Sequence, residues 1–349
     1  MMKVGLIGTG AIAHKHAQAY KNIGYEIVAV SNKTEERGRA FAAQWGGEFF
    51  PDWADVCRHP QVDFIDLCTF PDVRLAPLKL AADHGKHIQV QKPIAIDVAT
   101  AQQMVDYANS KNVLLSVVSQ GRFNDAMIFL KRAIADNRLG HIFQADAYVK
   151  WWRSDEYYSR PIKGSWAVEG GGSLINQGIH QVDWLLYLMG DVKQVFGQWQ
   201  IGARHKMESD DVCTALLTYA SGATGVIQTS TAMWPGFTER IELHGTKGSA
   251  ILTGDRITHW EVPNDSGDPA PIAADVAASG SSDPMAISLV PFERAFRNFG
   301  EAITAHKAPL ISGEEGLRAL DLVQSIYTSA RENSIVLLGK HGLKSIARG

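Results

Sequence analysis

The sequence predicts an α/β protein of two domains, residues 1–121 and 122–349, and three observations carry that reading. Over the first 120 residues, short β-branched runs alternate with segments of helical periodicity, the pattern of a parallel sheet with crossover helices. Beyond about residue 140 the texture changes to longer alternating segments separated by turn pairs such as Ser221-Gly222 and Lys247-Gly248, as in an antiparallel sheet of hairpins. The length of 349 residues also exceeds the roughly 100 to 200 residues of an ordinary domain.

In the first domain the strands are expected at Lys3–Ile7, Glu26–Ser31, Phe64–Cys68, His87–Val90 and Val113–Val118. A helix over Ala11–Ile23 places Ala13, Ala17 and Tyr20 on one face and ends at Gly24. Thr34 is available to cap the next helix, whose first turn carries Glu35 and Glu36, favourable against the dipole, and which stops at Gly46 and Gly47. Further helices start at Asp97, running to Ala108, and at Asn124, running to Ala135. In the second domain the strands are His141–Trp152, Gln194–Arg204, Val212–Tyr219, Thr224–Thr231, Glu239–His244 and Ser249–Leu252. Helices are expected over Leu174–Met189, with Ser173 as a cap, and over Glu314–Arg331, where Leu317, Leu320, Val323, Tyr327 and Ala330 form one stripe. The Gly-, Pro-, Ser- and Asp-rich stretch Asn264–Asp283 reads as a long loop.

A hydrophobic fraction of 45% with 20% charged residues is globular and excludes a disordered or collagen-like chain. The net charge of −3, with no basic patch, argues against nucleic acid and anionic membranes as partners. Cys57, Cys68 and Cys213 are widely spaced and form no C-x-x-C pair, which points to a reducing compartment and to no structural metal. With no signal-like or membrane-spanning apolar run, the expected location is the cytoplasm.

The segment VGLIGTGAIAHKHA places Gly8, Gly10 and Ala13 in a G-x-G-x-x-A pattern between a strand and a helix. Gly8 permits the tight turn, Gly10 lets the backbone approach a pyrophosphate, and Ala13 keeps helix and strand close. The first helical turn, with Ala11 and Ile12, then faces the anion. The chemistry is that of dinucleotide binding. At the end of the second strand stand Ser31, Asn32 and Lys33, without the carboxylate that commonly takes the ribose hydroxyls of NAD. Asn32 can still bond a ribose, while Lys33 and Arg37 suit a 2′-phosphate. The cofactor is therefore NADP or NAD, with a lean to NADP. The other reading makes the two cations a solvated surface beside an Asn adequate for NAD.

Two further segments carry acid–base groups. In GKHIQVQKPIA, Lys92 follows a strand at the carboxyl edge of the sheet, where ligands of open α/β folds bind, and Pro93 restrains the residue before it. In EGGGSLINQGIHQVDWLLYLMG, three glycines lead into a helix on which Asn176 and His180, four apart, share a face, with Asp183 three further on. Alone, the lysine reads as a surface residue and the histidine as a bonded structural one; together they suggest a site.

These three segments together resemble the Gfo/Idh/MocA family of NAD(P)-dependent sugar and polyol oxidoreductases, over nearly the whole chain and on to the terminal SGEEGLRALDLVQSIYTSA helix. The resemblance implies an N-terminal Rossmann domain and a C-terminal α/β domain built on an open, mainly antiparallel sheet of the kind that mediates homodimers or homotetramers. It equates Lys92 with the family's E-K-P lysine and His180 with the histidine of D-x-x-x-H, and it adds Thr69 and Gln91 to the cofactor side. Three departures stand out: Gln91 for Glu, Asn176 for Asp, and TFPDVR in place of T-P-N-x-x-H. Loss of the Asp carboxylate removes a group that would raise the basicity of His180 and shifts weight to Lys92. The Asn form is also similar to a branch acting on nucleotide-linked amino-sugar uronates.

The expected reaction moves a hydride between a nicotinamide and a secondary alcohol of a sugar, sugar acid or polyol. His180 would act as base, Lys92 would stabilise the substrate oxygen, and both would meet over the nicotinamide; the reverse assignment stays open. Substrate contacts are expected from Gln120 and Arg122 in QGRFN, from Trp152, Tyr157, Lys163 and Trp166, and from Lys92, Asn176 and His180. Lys163 matches a basic position of the nucleotide-sugar branch, whereas any single aromatic could equally pack a sheet core. Reduction of a keto- or anhydro-sugar with NADPH, and a non-catalytic dinucleotide sensor or scaffold, are the alternative functions.

Overall fold

In the computed structural model, β1 (Lys3–Ile7), β2 (Glu26–Ser31), β3 (Glu48–Phe50), β4 (Phe64–Leu67), β5 (His87–Gln91) and β6 (Leu115–Val118) pair side by side in the order β3-β2-β1-β4-β5-β6. Every pairing is parallel. The central strands β1 and β4 are buried almost throughout, and their sequences are accordingly mostly apolar, with the buried Asp66 as the exception in β4. The crossovers hold α1 (Ala11–Ile23), α2 (Glu35–Trp45), α3 (Trp53–Arg58), α4 (Leu75–Asp83) and α5 (Val98–Ser110). Helix α1 ends as expected at Gly24 in the left-handed conformation, and Asp97 caps α5 by accepting from the Thr100 amide at 2.7 Å. Thr34 stands at the start of α2 but makes no side-chain cap bond; its carbonyl accepts from Asn32 Nδ2 instead.

The structure describes residues 1–160, 162–202, 205–273, 288–339 and 345–347. It divides into two compact units, Met1–Gln120 with Ser288–Arg318, and Gly121–Ile287 with Ala319–Gly349. The sequence places residues 288–318 in the second domain, yet they belong to the first unit. The helix Val290–Ala305 sets Phe292, Phe296 and Phe299 along one stripe, against His16 at 5.6 Å, Tyr20 at 4.6 Å and Phe64 at 5.3 Å between ring centroids.

The second unit is built on β7 (Ile142–Lys150), β8 (Val192–Gln200), β9 (Val212–Tyr219), β10 (Thr224–Ser230), β11 (Arg240–Gly245), β12 (Gly248–Thr253), β13 (Arg256–Glu261), β14 (Ile335–Leu337) and β15 (Ser345–Ala347). Their order is β13-β12-β11-β7-β10-β9-β8-β14-β15, antiparallel except for β7 with β10. Helices α6 (Asp125–Ala135), α7 (Asp155–Tyr158) and α8 (Ile179–Met189) accompany it, α8 packing on β7. Ala145, Ala147, Val149, Ala215, Leu217 and Ile227 are buried in the sheet core. In register on adjacent strands, Phe196, Leu216 and Val226 form a row in which Leu216 is 57% exposed.

The expected helix from Leu174 is not α-helical throughout. Leu174–Gly178 form a π-helical turn before α8 begins at Ile179, and the Ser173 hydroxyl, rather than capping a helix, donates to Asp210 at 2.6 Å. The expected strand to Arg204 stops at Gln200, and residues 203–204 lie outside the described residues, as do residues 274–283 of the expected loop. Among the described residues no helix is long and apolar enough to cross a membrane.

Candidate active site

In the first unit the carboxyl ends of four neighbouring parallel strands carry the residues expected to bind a cofactor. The glycine turn follows β1, Ser31 and Asn32 end β2 and follow it, Thr69 lies just beyond β4, and Gln91 and Lys92 end β5 and follow it. Gly8 has φ +94°, and a Cβ there would lie 2.9 Å from the carbonyl oxygen of Cys68, so both conformation and space demand glycine. Gly10 has no atom within 4 Å of where its Cβ would be, and the α1 N-terminus behind it has neither a side-chain cap nor an acidic residue in its first turn. The Oγ1 atoms of Thr9 and Thr69 are buried without a hydrogen-bond partner among the described residues. Open space, a helix N-terminus without a side-chain cap and two uncommitted hydroxyls fit a dinucleotide phosphate.

Asn32 is partly committed: its Oδ1 accepts from the Thr9 amide at 3.2 Å and its Nδ2 donates to the Thr34 carbonyl at 2.9 Å, tying the end of β2 to the glycine turn. Lys33 and Arg37 are exposed. Lys92 is the one residue from Ile88 to Ala95 that is not buried, and it precedes Pro93 across a cis peptide. Beneath it lies a buried polar network. His16 Nδ1 stands 2.7 Å from Asp66 Oδ2, Gln91 Nε2 lies 2.6 Å from His16 Nε2, and Tyr20 donates to Asp66 at 2.7 Å. Burial first, and then the Asp66 charge, hold the Tyr20 hydroxyl well above its ordinary pKa, so it stays a donor. His16, Asp66 and Cys68 have metal-ligand chemistry, but the 2.7 Å His16–Asp66 contact is a hydrogen bond, closer than two donors each about 2.0 Å from one tetrahedral zinc.

In the second unit, Asn176 and His180 are the only residues from Glu169 to Leu186 that are not buried. The turn before them is held by Asp210, a fully buried carboxylate that accepts from Ser173 Oγ at 2.6 Å, Tyr327 Oη at 2.6 Å, Leu174 N at 2.8 Å and Gly172 N at 3.0 Å. Burial raises the Asp210 pKa although these four donors work to lower it. Glu169 is a second hub, accepting from Lys163 Nζ at 2.5 Å, Gly164 N at 2.9 Å and Asn176 Nδ2 at 3.2 Å. Burial works against the Lys163 ammonium, but Tyr157 and Glu169 outweigh it and hold its pKa above the ordinary lysine value.

The other expected substrate residues are placed unevenly. Tyr157 stays with the Lys163 cluster, its ring centroid 5.0 Å from Lys163 Nζ, and Trp152 packs edge-on against Trp234 with its buried indole nitrogen unpartnered among the described residues. Gln120 is buried. Arg122, expected as a substrate donor, is 2% exposed and grips Asp183 with Nε at 2.9 Å and an Nη at 2.5 Å. That ion pair anchors α8. Trp166 lies between Trp199 and Tyr327 under the Arg331 guanidinium and donates to the Glu208 carbonyl, which makes it part of the packing. Glu169 and Asp210 escape the sequence reading; a Glu directly before three glycines and an Asp-Asp pair before a strand are the available signals.

Residues 2–119 match the family model described as "Oxidoreductase family, NAD-binding Rossmann fold", and residues 127–251 match the "GFO/IDH/MocA C-terminal domain". A D-apiose dehydrogenase of Paraburkholderia graminis is 30% identical, over 96% of this chain and 89% of its own length. The chain belongs to the Gfo/Idh/MocA family. Among other Gfo/Idh/MocA relatives, a myo-inositol 2-dehydrogenase of Thermotoga maritima is 26% identical over 97% of this chain and 98% of its own. The WlbA dehydrogenase from Bordetella pertussis, solved in complex with NADH and UDP-GlcNAcA, superposes with a TM-score of 0.85 at 27% identity, covering 97% of this chain and 99% of that one. As a Gfo/Idh/MocA protein the chain is an oxidoreductase whose Rossmann unit binds a nicotinamide dinucleotide.

Proposed function

We propose that this enzyme moves a hydride between NAD(P) and a secondary alcohol of a sugar, sugar acid or polyol, with Lys92 and His180 as its acid–base groups and Asn176 one helical turn before His180. One observation carries the assignment. In two otherwise buried stretches, Ile88–Ala95 and Glu169–Leu186, the residues that reach the surface are Lys92 in one and Asn176 and His180 in the other. Lys92 emerges at the carboxyl edge of the parallel sheet, where ligands of such folds bind, and Asn176 and His180 emerge on the helical segment after the three glycines, which supports a role in chemistry for each. The names of the relatives, dehydrogenases of apiose and of myo-inositol, support a sugar or polyol as substrate.

The bound nicotinamide supplies the hydride acceptor, or the donor in the reductive direction. His180 takes the hydroxyl proton as the C–H bond breaks, a role suited to an imidazole, the side chain type that exchanges protons near neutrality. Lys92 serves as the donor that stabilises developing charge on the substrate. Asn176 is held by Glu169 and the Gly171 carbonyl, so that its amide is oriented before substrate arrives. Exposed Lys33 and Arg37 after β2 favour NADP, whereas the NADH complexes of relatives favour NAD. The row of Phe196, Leu216 and Val226 supports assembly of copies through the open sheet, and three buried free cysteines suit the cytoplasm.

A panel of sugars, sugar acids and inositols followed by reduced-cofactor absorbance tests the reading. Lys92→Ala and His180→Ala are each expected to lower kcat by about 10² to 10⁴-fold while cofactor affinity stays near native. Native turnover in both variants refutes the assignment, and a lower KM for NAD than for NADP overturns the lean to NADP.

A further inference from the structure

A charged side chain is fixed to the backbone around Lys92. Arg74 stands at the head of α4, after the 3₁₀ turn Pro71–Val73, and is 2% exposed. Its guanidinium makes no ion pair among the described residues. Each of its hydrogen bonds goes to a backbone carbonyl: Nε donates to Thr69 O at 3.1 Å, one Nη donates to the same oxygen, and the other donates to both Gln91 O and Pro93 O. The last two are the carbonyls on either side of Lys92. From below, the Gln91 side chain is held by His16 at 2.6 Å, and His16 in turn by Asp66.

We propose that Arg74 is the positioning residue for Lys92, clamping the carbonyls of Gln91 and Pro93 against that of Thr69 and so setting where the lysine presents its ammonium. A buried cation without a carboxylate partner is an expensive way to fill space, since an apolar side chain of similar volume would avoid the desolvation. Burial in fact lowers its pKa to about 10, against the pull of Cys68 and Asp66. What the guanidinium provides that a methionine does not is a rigid fork of donors able to hold three acceptors from two loops. Those loops follow β4 and β5, adjacent strands at the cofactor-binding edge, so the clamp couples the Thr69 segment to the lysine turn. This inference rests on the proposed acid–base role of Lys92, because a group that acts only through Lys92 matters to turnover only if Lys92 does.

The test is a double-mutant cycle on the full chain with Arg74→Met, Arg74→Lys, Lys92→Ala and the Arg74→Met/Lys92→Ala and Arg74→Lys/Lys92→Ala pairs. Turnover of a sugar found active in the panel, the KM of substrate and of cofactor, and thermal melting are measured for each. Arg74→Met is expected to lower kcat roughly 10²-fold, the size of a misplacement of about 1 Å, with cofactor KM nearly unchanged. Arg74→Lys, which keeps the charge and some donors, recovers part of that loss. In the Lys92→Ala background either Arg74 substitution changes kcat less than about twofold, because the group it positions is gone. An equal loss of kcat with and without Lys92 overturns the proposal, as does native turnover of Arg74→Met. If Arg74→Met does not fold, the Arg74→Lys arm decides by the same comparison. Native turnover of Lys92→Ala alone is a separate result that refutes the role of Lys92 itself, and with it the reason for a clamp.

Discussion

The two units hold their functional side chains by opposite means. In the first, the working positions are fixed chiefly through backbone, by a glycine turn, strand ends in parallel register and an arginine whose partners are all carbonyls, with one buried carboxylate, Asp66, acting on Gln91 through His16. In the second, they are fixed through carboxylates. Asp210 gathers four donors at the turn before Asn176, Glu169 holds both Lys163 and Asn176, and Asp183 pairs with Arg122 to anchor α8. Backbone acceptors are present whatever the side chain, so the first arrangement tolerates change among its acceptor residues, though not at its glycines or at the Arg74 donor. A buried carboxylate hub fails when either partner is lost.

The largest consequence falls on the second unit. With Arg122 and Asp183 both almost fully buried, Arg122→Met leaves the carboxylate without its fork and is expected to lower stability by about 3 to 5 kcal/mol. Arg122→Met/Asp183→Leu, which removes both charges, should regain most of that in urea melts. A double variant as unstable as the single one breaks the comparison, since the cost would then lie in packing around Tyr187, over whose ring the guanidinium sits at 4.7 Å, rather than in charge.

The first unit is expected to respond through its ligand instead. Gly10→Ala adds a methyl group where no atom lies within 4 Å, so the free protein should melt near the native temperature. Its cofactor dissociation constant, followed by fluorescence titration, should rise about tenfold or more, equivalent to about 1.4 kcal/mol. A fall of several degrees in melting temperature without cofactor would show that the space is needed by the fold.

The same contrast decides what was legible in the sequence. Backbone devices have local signatures, so Gly8, Gly10 and Ala13, the end of α1 at Gly24 and the position of Lys92 after β5 could all be read from neighbouring residues. Carboxylate hubs have weaker ones, which do not name the partners. Asp210 is 37 residues from Ser173 and 117 from Tyr327, and no periodicity links them. Helix α4 carries Pro77 inside its first turn, which hides its helical pattern. The helix Val290–Ala305 shows a readable aromatic stripe, but nothing local says that the stripe belongs to the first unit. The π turn Leu174–Gly178 looks helical in sequence because it differs from an α turn only in bonding to the fifth rather than the fourth residue, which no residue type in it announces.

Acid should separate the two strategies by a smaller margin. Near the surface of the second unit, Asp265 accepts from Arg138 Nε at 3.0 Å, from an Nη of the same residue at 2.5 Å and from Trp260 Nε1 at 2.8 Å, and chiefly the Arg138 bonds hold its pKa down to about 2. A carboxylate whose pKa is lower folded than unfolded stabilises the fold above its unfolded pKa, about 3.9, and loses that contribution as the pH falls through the folded one. The window is therefore about pH 4 to pH 2, and solvent screening keeps the effect below about 1 kcal/mol. Urea melts of the native chain and of Asp265→Asn should differ at pH 5 and converge by pH 2. A difference that persists at pH 2 would mean that the contact acts as a neutral hydrogen bond. The Arg74 clamp has no such window, because carbonyl oxygens do not titrate in this range and the guanidinium keeps its proton throughout it.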